Sequence, residues 1–251
     1  MPGRIALVTG AGKRIGSDIA RRLAREGWRL ALLARASSEG ARALAAEIVA
    51  GGGEAHAFSV DLADPEAGAA AFAEIAASLG PIELLVNNAA MFEADSIGAL
   101  DLFLWRRQFA IDLEAPVFLA GAFAAALPGD REGAIVNIID QRVLKPTPQF
   151  ISYSLSKAGL YWLTTTLAQA LAPNIRVNAV GPGPTLRNPR QSEADFARQR
   201  DATILKHGAE PKDVAEAVRY LLDADAVTGQ MLAVDGGQHL IWQTPDVQGS
   251  E

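Results

Sequence analysis

The chain contains no cysteine in 251 residues, which excludes disulfides and thiolate metal sites. Histidine is nearly as scarce. His56, His207 and His239 are scattered without ligand spacing and argue against a metal centre. Positive charge is in deficit: 23 Lys and Arg against 29 Asp and Glu leave a net charge of −6. That balance gives no electrostatic support for binding nucleic acid or an anionic membrane. The longest nearly apolar run, Pro116 to Pro128, is too short to cross a bilayer as a helix. Met1-Pro2-Gly3-Arg4 leads into a strand-like run without a secretory signal, so a reducing, cytoplasmic setting is the expectation.

What remains is ordinary globular material, 49% hydrophobic and 21% charged, long enough for one large domain or two small ones. Short apolar runs alternate with helical periodicity from end to end, with no repeat, linker or low-complexity stretch. Strands are expected at Ile5–Val8, Leu30–Ala34, Ala55–Val60, Ile82–Val86, Ala134–Ile139, Arg176–Val180 and Gln230–Val234. Helices are expected between them, including a long one over Ala99–Leu127 interrupted near Pro116, and one carrying Tyr153 on to Leu171. The polar, weakly periodic stretch from Thr185 to Pro211 reads as a lid over a pocket. Ile241 and Trp242 make the tail more apolar than a free tail, so it should pack on its own body or on a neighbouring subunit. The alternation implies one doubly wound parallel sheet with helices on both faces. Ligands of such sheets bind beyond the carboxyl ends of the strands.

Several polar or glycine-rich segments fall on that rim. Gly10, Gly12 and Gly16 punctuate the turn after the first strand, where backbone N–H groups could approach a phosphate or simply complete a turn. The turn reads TGAGKRIG, with Arg14 where a glycine is expected. After the second strand there is no acidic residue to hold a ribose 2′-hydroxyl. Arg35, Ser37 and Ser38 stand there instead and suit a 2′-phosphate, the serines also being able to cap the next helix. Asp61 closes the third strand, and Asn87 and Asn88 end the fourth as polar groups needing backbone or ligand partners. Phe92, just beyond, reads on spacing alone as a core residue. Asp140 follows the fifth strand. Tyr153 and Lys157 are one helical turn apart, which places an ammonium where it can lower the phenol's pKa.

Taken together, the Thr9–Gly16 turn, Asn87-Asn88-Ala89, Tyr153-x-x-x-Lys157 and Pro182-Gly183 resemble the short-chain dehydrogenase/reductase family over nearly the whole chain. Two departures narrow the resemblance. Asp140 stands where most members have a catalytic serine, and Arg14 where they have glycine. Together with Phe92 they look like the pteridine reductase branch, in which that phenylalanine sandwiches the pterin against the nicotinamide. The resemblance implies NADP(H) held by Gly10, Gly12, Arg14, Ile15, Gly16, Arg35 and Ser37 on one side. Asp61, Leu62, Asn87, Ala89, Tyr153, Lys157, Pro182, Gly183 and Thr185 would complete the cofactor site. It implies catalysis by Asp140, Tyr153 and Lys157, and substrate contacts from Arg14, Phe92, Asp140 and Tyr153. It also implies a homotetramer built on the two long helices. Asp112 falls where many members have a relay asparagine, and Ala90 replaces a serine of the parasite-type enzymes. A carboxylate at position 140 suits a pterin independently of kinship, because it can accept from the exocyclic amine and ring N–H groups. The alternatives are an NADP-dependent carbonyl or imine reductase of another substrate, and a catalytically silent NADP(H)-binding protein.

Overall fold

Ile5–Thr9 (β1) is apolar at both odd and even positions until its final threonine, and every residue of it is buried. A strand of that composition has to be covered on both faces, and it lies inside a seven-stranded sheet. The structure is a computed structural model describing residues 3–35 and 39–243. The other strands are Arg29–Ala34 (β2), Ala55–Ser59 (β3), Ile82–Asn87 (β4), Gly133–Ile138 (β5), Ile175–Pro182 (β6) and Met231–Val234 (β7). They pair in the order β3-β2-β1-β4-β5-β6-β7, all parallel. The expected doubly wound sheet is therefore the fold observed.

The strand alternation divides the core. Ala6 and Val8 point to one face, where they meet Ile19 and Leu23 of α1 (Arg14–Arg25), Leu44 of α2 (Glu39–Ala50) and Val214 and Val218 of α8 (Pro211–Asp223). Ile5 and Leu7 point to the other, against Phe72 of α3 (Pro65–Leu79), Phe123 of α5 (Ala115–Ala126) and Ala168 of α6 (Ile151–Leu171). Phe72 and Phe123 meet edge to face at 6.0 Å. The chain runs outward from β1 to β3 and then returns to the opposite side of β1. The crevice between the β1 and β4 ends is the switch point where such sheets open.

The expected interruption of the helical region near Pro116 is present as a π-helical turn that does not end the helix. α4 (Leu102–Phe109) passes through a π-helical turn, Ala110–Glu114, directly into α5. Proline lacks an N–H, and its ring collides with the carbonyl of residue i−4 in an α-helix. The wider turn just before Pro116 accommodates it without ending the helix. The joined helix, Leu102–Ala126, is long and apolar enough to cross a bilayer, unlike the shorter run judged from sequence. Here its residues Ala115, Leu119, Ala120 and Phe123 are core. The polar stretch after β6, expected as a lid, contains a helix, α7 (Glu193–Asp201), N-capped by Ser192. No residue of α7 is buried, so it has no apolar stripe to announce it. In the described part of the tail Ile241 is partly buried and Trp242 is 64% exposed.

Candidate active site

The strand ends enclose a cavity of about 1330 Å³. One wall is the turn after β1. Gly10 has φ +65°, and a Cβ there would lie 2.8 Å from the Ala89 Cα; a Cβ on Gly16 would overlap Asn88 Nδ2 and the Gly10 carbonyl. Thr9 and Asn88 fasten this turn to the end of β4. The Thr9 hydroxyl accepts from the N–H groups of Asn88 and Ala89, each at 2.9 Å. Asn88 Nδ2 donates to the carbonyls of Thr9 and Gly10, at 2.9 and 3.3 Å. The backbone lies bare and rigid, as close approach of a phosphate requires. Arg14 explains its own oddity: it has φ +54°, a conformation that favours the glycine usual at this position. Its guanidinium donates to the carbonyls of Leu186 and Arg187 at 3.1 and 3.0 Å and meets no carboxylate among the described residues. Burial lowers its pKa from the ordinary value, but a guanidinium stays protonated at neutral pH, so the site carries a cation suited to an anionic ligand.

The floor holds the acid–base groups. The Tyr153 phenol donates to Asp140 Oδ2 at 2.9 Å, and Asp140 Oδ1 accepts the Arg142 N–H at 2.8 Å. Lys157 is 1% exposed and donates to the carbonyl of Ile138, the last residue of β5, at 2.9 Å. Burial pulls the lysine down, opposed by Asp112 and Asp140. Burial raises Asp140 above the usual carboxylate range, opposed first by the Arg142 N–H. The phenol is pushed well above its ordinary value by burial and by the neighbouring carboxylates. The Arg142 guanidinium pulls it the other way. The ammonium is aimed at a strand carbonyl and lies 5.8 Å from the phenol ring, so Tyr153 is held here as a protonated donor.

Sequence reasoning noted Asp112 without anticipating its setting. The π-helical turn directs it inward, to 0% exposure, and burial lifts its pKa to about 6 against the pull of Lys157. Its Oδ1 accepts the Met91 N–H at 2.7 Å, while Gln108, one turn earlier, donates to the Met91 carbonyl at 2.7 Å. The two side chains clamp the peptide groups flanking Met91 and so fix Phe92. The Phe92 ring stacks on Phe150 at 4.4 Å and meets Tyr153 edge to face at 4.7 Å. Arg142 and Arg190 lie over it at 5.5 and 5.6 Å.

The cavity brings together all but two of the residues expected from sequence. Gly10, Gly12, Arg14, Ile15, Gly16, Arg35, Asp61 and Leu62 line one half; Ala89, Phe92, Asp140, Tyr153, Lys157, Pro182, Gly183 and Thr185 line the other. Ser37 lies outside the described residues. Asn87 needs correction: its side chain is buried and donates to Asn137 at 2.9 Å within the sheet. Strand alternation turns Asn87 inward and leaves Asn88 on the cavity. Asp61 faces the cavity already paired, accepting from Arg107 at 2.8 Å, which holds its carboxyl below the usual range. Asn88, expected from sequence to need a backbone or ligand partner, finds the backbone of the first turn; Arg107, Arg142, Phe150 and Arg190 were not anticipated, because no local motif marks them.

Residues 10–239 match the family model described as enoyl-(acyl carrier protein) reductase. Galactitol 2-dehydrogenase (L-tagatose-forming) of Cereibacter sphaeroides is 36% identical, over 96% of this chain and 97% of that protein. The probable galactose dehydrogenase GalD of Rhizobium meliloti is 34% identical, over 93% and 94%. The chain belongs to the short-chain dehydrogenase/reductase family. It is thus an oxidoreductase, and among solved structures of the family it is similar to FolM alternative dihydrofolate reductase 1 from Brucella suis in complex with NADP. The identity is 46%, with a TM-score of 0.93 and 98% of both chains covered. The same protein from Brucella canis, complexed with NADP, is also 46% identical, with a TM-score of 0.91 and 98% of both chains covered.

Two outcomes follow from the geometry. Asp112 stays protonated in the folded state up to about pH 6, whereas in the unfolded chain it ionises near the ordinary carboxylate value of about 3.9. Its contribution to stability is therefore complete below about pH 4 and is lost as pH rises towards 6, by about 3 kcal/mol in all. Asp112→Asn keeps the acceptor for Met91 and should flatten this part of the curve, measured by urea unfolding between pH 4 and 7. Arg14→Gly relieves the left-handed backbone while losing two hydrogen bonds, so unfolding free energy should stay within about 1 kcal/mol of the parent. Its affinity for a dinucleotide phosphate, read by calorimetry, should fall at least about tenfold.

Proposed function

We propose that the protein is a cytoplasmic NADPH-dependent reductase of a C=N bond in a pterin or folate. The observation carrying this reading is the Asp140 carboxylate hydrogen-bonded to the Tyr153 phenol, on the floor of a cavity also lined by the Phe92 ring. A carbonyl reductase needs only a neutral hydroxyl beside the phenol. A carboxylate adds an acceptor for the amine and ring N–H groups of a pterin. The kinship with the two Brucella alternative dihydrofolate reductases supports the same reading.

The cavity fits the cofactor. The close-packed glycine turn, Arg14 with no carboxylate partner among the described residues, and the exposed Arg35 just past the end of β2 suit a phosphorylated dinucleotide. Arg35 would hold the 2′-phosphate, and the turn with Arg14 the linking phosphates. Asp61 and Leu62 would flank the adenine, and Ala89, Lys157, Pro182, Gly183 and Thr185 the nicotinamide end. When bound, NADPH supplies the hydride. Tyr153 supplies the proton to the ring nitrogen, its high pKa keeping it protonated until transfer. Asp140, its pKa raised by burial and in contact with the phenol, orients the ring and can return a proton to the tyrosine. Lys157 carries the compensating positive charge. Residues 185–210 serve as the lid: Arg14 ties it to the phosphate-side turn, and Arg190 ties it to the Phe92 carbonyl and to Glu93.

A carbonyl reductase is the second reading, favoured by the sugar and sugar-alcohol activities named for the curated relatives. Assembly as a homotetramer would cover apolar side chains left open on the long helices, Phe103 at 75% exposure and Trp162 at 69%.

Purified protein should oxidise NADPH on addition of dihydrobiopterin, dihydromonapterin or dihydrofolate. Tyr153→Phe should lower kcat by about 10²–10⁴-fold, and Asp140→Ser by at least about tenfold. Failure with every pterin, alongside efficient reduction of a ketone, would replace the first reading with the second. Light scattering should give four times the 26.4 kDa chain mass, and Trp162→Glu should lower it.

A further inference from the structure

Phe150 immediately precedes α6, the helix that carries Tyr153 and Lys157, and has φ +57° and ψ +52°. A bulky side chain in the left-handed region is costly and persists only where its surroundings enforce it. Helix capping does not require it, since an extended residue with a short polar side chain does that without strain. The first turn is served from elsewhere. The Asp95 carboxylate accepts the Ser152 N–H at 3.2 and 3.3 Å, and the Asp95 carbonyl accepts the Phe150 N–H at 3.0 Å.

The strained backbone instead places a ring. Phe150 lies parallel to Phe92, with centroids 4.4 Å apart and planes 11° apart. The Arg142 guanidinium spans both rings, 5.0 Å from Phe150 and 5.5 Å from Phe92. The separation is that of a closed aromatic stack, leaving no room for a third ring between the two. One face of Phe92 is thereby filled and its plane fixed, with the proton-donating ring of Tyr153 at its edge.

We infer that Phe150 is a specificity-determining residue: by backing Phe92 it presents a rigid aromatic plane that selects flat, conjugated heterocycles over puckered rings. The identity of the heterocycle rests on the pterin reading above, but the selection for planarity rests on the stack. A flat ring laid against Phe92 gains full contact only if that plane is held. A puckered sugar or alicyclic ring gains little from it.

The test is calorimetric titration of the NADP⁺-loaded protein with 2,4-diaminopteridine, which needs no turnover. Phe150→Gly suits φ +57° and should melt no lower than the parent, bind NADP⁺ within twofold of it, and lose about tenfold in pteridine affinity. Phe150→Tyr retains the ring and should stay within threefold. Should Phe150→Gly not fold, Phe150→Leu keeps bulk without the aromatic plane and should show the tenfold loss. Unchanged pteridine affinity in the glycine or leucine variant overturns the inference, as do equal losses in the glycine and tyrosine variants. Wild-type protein that binds the diaminopteridine but reduces no dihydropterin refutes the proposed reaction and leaves the role of Phe150 standing. Wild-type protein that binds no planar heterocycle overturns that role.

Discussion

A lysine ammonium buried to 1% exposure is the constraint around which this structure is arranged. An isolated charge cannot be taken out of water without compensation. The fold compensates Lys157 with one carbonyl at a strand end and two carboxylates, Asp112 and Asp140. Each partner comes from a different element. Ile138 ends β5, Asp140 lies just beyond it, and Asp112 belongs to the π-helical turn between α4 and α5. Meeting the demands of one side chain therefore fixes the end of the central sheet, the start of α6 and the path of the longest helical segment. Burial disfavours the charged form of both carboxylates, and both have raised pKa values. The site can thus retain a proton close to neutral pH while Tyr153 stays protonated above it.

The cofactor half is built on a different principle. It contains little side-chain chemistry and much exposed backbone, because Gly10 and Gly16 are packed too tightly for a Cβ. Thr9 and Asn88 make that rigidity a property of two strand ends together. The halves meet at Met91, whose peptide neighbourhood is held by Gln108 and Asp112. Asp112 therefore faces both ways, towards the charge of Lys157 and towards the loop that carries Phe92.

How far this was legible from sequence depends on the range of the interaction. The strands were legible because a sheet buried on both faces needs continuous apolar runs, and Ile5–Val8 is one. Tyr153 and Lys157 were legible because helical periodicity alone puts them on one face. Asp140 could be placed at a strand end, but its bond to Tyr153 depends on how the intervening loop closes. Asn87 and Asn88 show the limit: both sit at the right end of the right strand, and only the pleat decides which one faces the cavity. The interruption near Pro116 was legible but its π-helical form was not, because Pro116 has the same signature in either case. Phe150 was invisible, since nothing local distinguishes a ring held by a left-handed backbone from an ordinary residue before a helix.

The same contrast bears on how one fold serves different substrates. The cofactor half depends on backbone positions that tolerate only small residues, so substitution there costs the turn itself. The substrate half depends on side chains projected from loops after β4 and β5, where Phe92, Asp140 and Phe150 can change without disturbing the sheet. A serine at position 140 would leave Lys157 with only Asp112 for a counter-charge. Changing substrate class at this position therefore also changes the protonation balance of the whole cluster. A buried Asp112 gives that cluster a second acid on which the change can fall.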